Sequence, residues 1–176
     1  MPGSRPIQPA SGIEGAGVRA LCEADFEAVV RLNDSVVQQT SAMDPGRLRE
    51  LHSLPGYHRV VNADGRVVAF LLAMRETAPY RNDNFEWFAS RFEKFVYVDR
   101  IVVMSEWARQ GLGTSLYRDL FDFAQASGLR RVVCEYNIDP PNLPSRAFHD
   151  KFGFREVGRQ RVAGGSKLVS LQAAGL

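Results

Sequence analysis

The chain has 176 residues, 45% of them hydrophobic and 24% charged, with a formal net charge of +2 at pH 7, enough for one domain with a core of its own. It holds no Lys/Arg run or basic repeat, which argues against nucleic acid as a partner, and no apolar run nears the ~20 residues of a membrane-spanning helix, which argues against a membrane. Cys22 and Cys134 stand far apart without metal-ligand spacing, so zinc and disulfide scaffolds are disfavoured and a cytoplasmic, reducing setting is expected.

Residues 1–17 carry Pro2, Pro6 and Pro9 among Gly and Ser, lack an apolar period, and are expected to form a disordered leader; 18–176 are expected to be one domain. Residues 18–21 suit a short strand. A helix follows with Phe26, Val29 and Val30 on its apolar side, extending to Val36 and Val37 unless Asn33-Asp34-Ser35 interrupts it. Asp44-Pro45 opens a second helix as N-cap and first helical residue, with Leu48, Leu51 and Leu54 inward. Residues 57–62 and 66–75 form a hairpin around Asp64-Gly65, and 67–74 are apolar throughout, as in a strand covered on both faces.

Phe85, Phe88, Phe92 and Phe95 then recur at helical spacing, predicting a short aromatic helix inserted before a strand over Phe95–Val103. A helix over Leu112–Ala126 turns Leu112, Leu116, Leu120 and Phe123 to one side and is closed by Gly128. In the strand from Arg131, Val132, Cys134 and Tyr136 share one face, Val133, Glu135 and Asn137 the other. A proline-rich loop leads into a helix ending at Gly153, and two strands around Gly164-Gly165 finish the chain. The strand-helix-strand crossover in the second half predicts a mixed α/β architecture.

Between the fourth strand and the long helix lies Ala108-Arg109-Gln110-Gly111-Leu112-Gly113-Thr114. Amides at a helix N-terminus have no internal partner and carry the positive end of the dipole, so they suit a phosphate. Gly111 and Gly113, lacking Cβ atoms, would let a ligand approach that backbone. No Gly-Lys-Ser/Thr follows, which counts against a nucleotide P-loop.

This element order, with three local signatures, resembles the GNAT superfamily of acyl-CoA-dependent N-acetyltransferases. The signatures are Val103 five residues before Ala108-Arg-Gln-Gly111-Leu-Gly113, then Asn142-Leu-Pro-Ser145, then Lys151-Phe-Gly-Phe154. The resemblance implies an α+β fold with a mostly antiparallel sheet, a splayed parallel strand pair and flanking helices. It implies acetyl-CoA as co-substrate, no metal, a small-molecule or peptide amine as acceptor, and it leaves a homodimer open. Backbone at Ile101, Val102 and Val103, and residues Arg109, Gln110, Gly111, Leu112, Gly113, Thr114, Asn142 and Ser145, are implied as coenzyme contacts. Asn142 also reads as an ordinary N-cap. Ala108 departs from the usual Arg or Gln, which implies weaker coenzyme binding. His149 stands where the family commonly has a tyrosine.

For the reaction itself, an amine of pKa ~10 must lose a proton before it attacks a thioester. Asp99 and Glu135 are the candidate bases. The alternative readings are ion pairs, Asp99 with Arg100, and Glu135 with Arg100 or Arg131. His149 is the candidate acid, or else a helix-surface histidine, with Tyr117 or Tyr136 as another proton source. Cys134 reads as core. Tyr80, Asn84 and Trp87 in the aromatic insert are expected to line an acceptor pocket. The alternative function is a GNAT-like module that holds acyl-CoA without turnover.

Overall fold

The apolar run that begins after Arg66 sets the middle of the molecule. From Val67 to Met74 every side chain is buried, which only a central strand with both faces covered can satisfy. In the computed structural model, which describes residues 17–37 and 40–176, this run is one of seven strands. In chain order the elements are β1 (Gly17–Ala20), α1 (Phe26–Asp34), α2 (Pro45–Ser53), β2 (Gly56–Ala63), β3 (Arg66–Arg75), α3 (Asp83–Ala89), β4 (Phe95–Val103), α4 (Leu112–Ala126), β5 (Arg131–Asp139), α5 (Leu143–Asp150), β6 (Arg155–Val162) and β7 (Lys167–Gly175). The leader expected over 1–17 lies outside the described residues except for Gly17, which opens β1.

The strands form one sheet in the order β1-β2-β3-β4-β5-β7-β6, antiparallel except for the β4–β5 pair. Asp64 and Gly65 join β2 to β3 with φ of 51° and 73°, the left-handed pair that lets a two-residue turn follow the sheet's twist. Helices cover both faces. Phe26, Val29 and Leu32 of α1, Leu48 and Leu51 of α2, and Phe85 and Phe88 of α3 pack against Phe70, Leu72, Tyr97 and Val133. On the opposite face Leu112, Leu116, Tyr117 and Leu120 of α4 meet Val96, Val98, Val132, Cys134 and Phe154.

Local chemistry explains most of these boundaries. Asp44 accepts from the Arg47 amide at 2.7 Å and Pro45 occupies the first turn, so α2 starts where expected. The helix α1 stops at Asp34, short of Val36 and Val37, and the Ser35 hydroxyl closes on the Leu32 carbonyl at 2.7 Å. Val37 is left exposed.

One irregularity shapes the site. β3 pairs Leu72 with Arg100 and Ala73 with Val98, so Asp99 is an extra residue in β4, a β-bulge. Before it, Phe95 and Tyr97 face the α1–α3 side; after it, Val102 does, while Ile101 and Val103 turn to the α4 side. The bulge therefore reverses the strand's alternation and gives Tyr97 and Arg100 the same face.

Candidate active site

The parallel β4–β5 pair lasts for three residue pairs, Phe95–Arg131, Val96–Val132 and Tyr97–Val133. Beyond them the strands part, β4 staying with β3 as far as Val103 and β5 with β7 as far as Asp139. The facing edges from Val98 and from Cys134 onward therefore have no strand partner, and their backbone groups are available to an extended, amide-bearing chain. Ile101, Val102 and Val103 lie on one of these edges. Their side chains belong to the core, so packing and backbone recognition coexist there.

At the end of β4 the chain makes a short 3-10 turn over Ser105–Trp107 and enters the glycine loop. Arg109 (φ 61°) and Gly111 (φ 86°) are left-handed, and Gly111 caps α4 without any side chain to occupy the first-turn amides. Those of Leu112, Gly113 and Thr114 thus point out of the helix. The side chain of Gln110 braces the loop, donating to the Glu106 carbonyl at 3.1 Å. The two glycines have different reasons. A Cβ on Gly111 would meet nothing but would sit at a left-handed φ, whereas one on Gly113 would lie 3.3 Å from the Phe148 ring of α5. Gly113 lets α4 and α5 close together; Gly111 makes the turn.

On the α1–α3 face of the parting strands lies a group of buried polar side chains. Asp99, with 4% of its side chain exposed, is bonded to Arg100 at 2.7 Å and accepts a short hydrogen bond from the Tyr80 hydroxyl. Arg100 also donates to Asn33 Oδ1 (2.8 Å), the Ser41 carbonyl (3.0 Å) and Ser41 Oγ (2.9 Å), tying β4 to the last turn of α1 and to the segment before α2. Of the two readings of Asp99, this is the geometry of the ion pair.

Glu135 is held differently, and forms an ion pair with neither Arg100 nor Arg131 among the described residues. Its Oε1 accepts from the Tyr97 hydroxyl at 2.9 Å, and its Oε2 is buried with no partner. Burial pushes its carboxyl up to about 8, with Asp99 adding to the rise, while the Tyr97 hydroxyl, the Asn84 amide and Arg100 act against it. The group thus exchanges its proton near neutral pH.

The insert contributes unevenly. Tyr80 and Asn84 are buried beside these carboxylates. Trp87 instead packs on Gly158 of β6, where a Cβ would come within 2.5 Å of its ring, and Arg91 lies over it at 4.0 Å. Its place is the α3–β6 contact.

His149 is on the other face. It is 4% exposed, not on the helix surface, and sits among Tyr117, Tyr136, Phe148 and Phe154. Its Nδ1 lies 2.7 Å from the Ser145 carbonyl, which can only accept, so Nδ1 carries the proton; Nε2 then accepts from the Tyr117 hydroxyl at 2.7 Å. Burial lowers its pKa, outweighing the Ser145 carbonyl and Asp150, and keeps the ring neutral. Asn142 caps α5, accepting from the Ser145 amide at 3.2 Å. Burial likewise holds the Cys134 thiol protonated, consistent with core.

The structure therefore brings Asp99, Glu135, Tyr80 and Asn84 together and sets His149 apart from them. Tyr97, which holds Glu135, was not anticipated, although strand alternation places it on the Glu135 side. Among the described residues no group of three His, Cys, Asp or Glu side chains is placed to hold a metal, and no helix is long and apolar enough to cross a membrane.

Comparisons with known proteins agree with this geometry. The family model for the acetyltransferase (GNAT) family matches residues 24–154. Phosphinothricin N-acetyltransferase of Streptomyces coelicolor is 28% identical over 93% of this chain and 91% of its own length. Among solved structures, the ribosomal-protein-S18-alanine N-acetyltransferase from Escherichia coli superposes with a TM-score of 0.68 at 17% identity, covering 91% of this chain and 93% of that one. yncA from Salmonella typhimurium, solved with its cofactor acetyl-CoA, does so with a TM-score of 0.67 at 19% identity, covering 92% and 94%. The splayed pair, the uncapped start of α4 and the family match over most of the chain lead to one conclusion: the protein belongs to the GNAT acetyltransferase family.

Proposed function

We propose that the protein moves an acetyl group from acetyl-CoA to the amine of a small-molecule or peptide acceptor by direct attack, with Glu135 as the base. The buried, unpartnered Oε2 of Glu135 in the opened β4–β5 seam carries this reading. The residues present fit the co-substrate. Unpaired edges on β4 and β5 suit the amides of a pantetheine arm, and the outward amides of Gly111, Leu112, Gly113 and Thr114 suit a pyrophosphate. Exposed Arg109 adds a positive charge to that loop.

In this reading the acceptor's ammonium group first gives one proton to water; the free amine nitrogen then bonds to the thioester carbonyl carbon, Glu135 takes the second proton from that nitrogen, and the C–S bond breaks. Backbone N–H groups of Ile101 and Val103, which alternate away from β3, support the oxyanion. The departing thiolate has a pKa of ~8.5, close to the carboxyl's about 8, so the proton gathered by Glu135 can return to sulfur. Asp99, held by Arg100 and Tyr80, fixes the floor of the site beside Glu135. His149, with both nitrogens engaged, supports the wall of the site through Tyr117.

Saturating acetyl-CoA is expected to raise the melting temperature, since a ligand that binds the native state must stabilise it. Thiol release across a panel of amines reports turnover. Glu135→Gln is expected to lower kcat by about 10²-fold with acetyl-CoA affinity kept. No stabilisation by acetyl-CoA, or full activity in Glu135→Gln, would overturn the proposal.

A further inference from the structure

Asn84 lies on the inserted helix α3 with 6% of its surface exposed, close enough to Glu135 for its side-chain amide to act on that carboxyl. Its Oδ1 accepts from Nε2 of Gln160, a residue of β6 on the far side of β7 from β5, at 3.0 Å. An amide side chain has one accepting and one donating end, so fixing the oxygen on Gln160 decides where the N–H groups point. The nearby Tyr97 hydroxyl already serves Glu135 Oε1, which leaves Oε2 as the carboxylate oxygen without a partner.

We infer that Gln160 is a positioning residue: by donating to Asn84 it turns that side chain's amide N–H groups toward the Glu135 carboxylate, and so couples the edge strand to the base. The inference rests on the reading of Glu135 as the base. The Asn84 amide favours the ionised form of Glu135, as expected of a donor beside it. The other groups around Glu135 are fixed from elsewhere. Tyr97, Asp99 and Arg100 come from β4, Tyr80 from the segment before α3, and Cys134 and Tyr117 lie toward the opposite face. Among the described residues no side-chain hydrogen bond joins Gln160 to any of these, and its bond to Asn84 is the route by which a change there reaches Glu135.

A double-mutant cycle tests this on the whole chain, reading the Glu135 carboxyl by ¹³C NMR titration and the acid limb of kcat/KM in parallel. Gln160→Met removes the donor at similar size. It is expected to raise the Glu135 midpoint by about half a pH unit and carry the acid limb with it. Asn84→Leu should raise it by at least as much, and adding Gln160→Met to Asn84→Leu should then change nothing further. An unmoved NMR midpoint in Gln160→Met overturns the inference, even if melting temperature falls, as does a full second shift in the double variant. If the NMR midpoint moves but the limb stays fixed, Glu135 is positioned by Gln160 yet is not the base. The two readings therefore fail separately.

Discussion

His58 sits on β2 with 8% of its surface exposed, its Nδ1 buried without a partner and its Nε2 3.5 Å from the Leu54 carbonyl. Burial lowers its pKa to about 4, only partly offset by that carbonyl. A histidine depressed below its unfolded value of ~6.5 leaves the folded state short of a proton, so stability is intact above that value. It is lost as pH falls toward 4, by on the order of 3 kcal/mol. Because Glu135 gains over the same range, the test is a difference: between pH 7 and pH 4.5 urea unfolding of the wild type is expected to change less favourably than that of His58→Gln by about 2–3 kcal/mol, and equal changes would clear His58 of the role. Glu135 works in the other direction. Its carboxyl, raised to about 8, favours the fold while protonated, and this contribution fades as pH climbs from the unfolded carboxylate range toward that value. A polar group kept buried at such a cost is characteristic of functional sites. These residue-scale facts were only half legible in the sequence. Glu135 and Asp99 were visible as carboxylates on facing strands, and the Asp99–Arg100 pair was one of the two readings of Asp99; what was not legible is that Arg100 shares a face with Tyr97, since this depends on the bulge, and the bulge leaves no trace in composition.

At the level of elements, the inserted helix is held by its far neighbour as much as by the core. Trp87 packs against Gly158, and Asn84 reaches Gln160, so α3 is clasped to β6 by two contacts across more than seventy residues of chain. Gly158→Ala would set a methyl 2.5 Å from the indole and force it away. We expect a loss of about 1–3 kcal/mol of stability, a shifted tryptophan emission, and lower kcat/KM as Asn84 moves with its helix. A change in stability alone would show that α3 holds its polar residues without this clasp. The boundaries of β4 and α4 could be read directly, because apolar periodicity, Gly128 and the glycine turn all mark them locally. Trp87 was expected at an acceptor pocket and is found at an inter-element contact, because an aromatic at helical spacing says which side it shares and nothing about which strand comes to meet it. His149 followed the same pattern. The helix was predicted, but the burial came from Tyr117 and Phe154, contributed by other elements.

For the whole molecule, the sheet is a continuous surface opened along one internal seam. The directions of two pairs follow from connection lengths: a tight turn makes β2–β3 antiparallel, and a full helix between β4 and β5 allows them to run parallel, whereas the place of β7 between β5 and β6 has no local signal. A ligand seated in the seam bridges both halves of the sheet, so acetyl-CoA is expected to slow amide exchange on the facing edges of β4 and β5 together. Protection confined to one strand would mean that the ligand lies elsewhere. The bulge at Asp99 also fixes the chain's tolerance to changes of length. Deleting that single residue would leave hydropathy, charge pattern and helix propensities nearly untouched, yet it would restore regular pleating and exchange the two faces of everything beyond it. Val102 would then be turned toward α4, and Ile101 and Val103 toward the helices α1 and α2. A gap of one at this position in any relative's β4 therefore signals a rebuilt site.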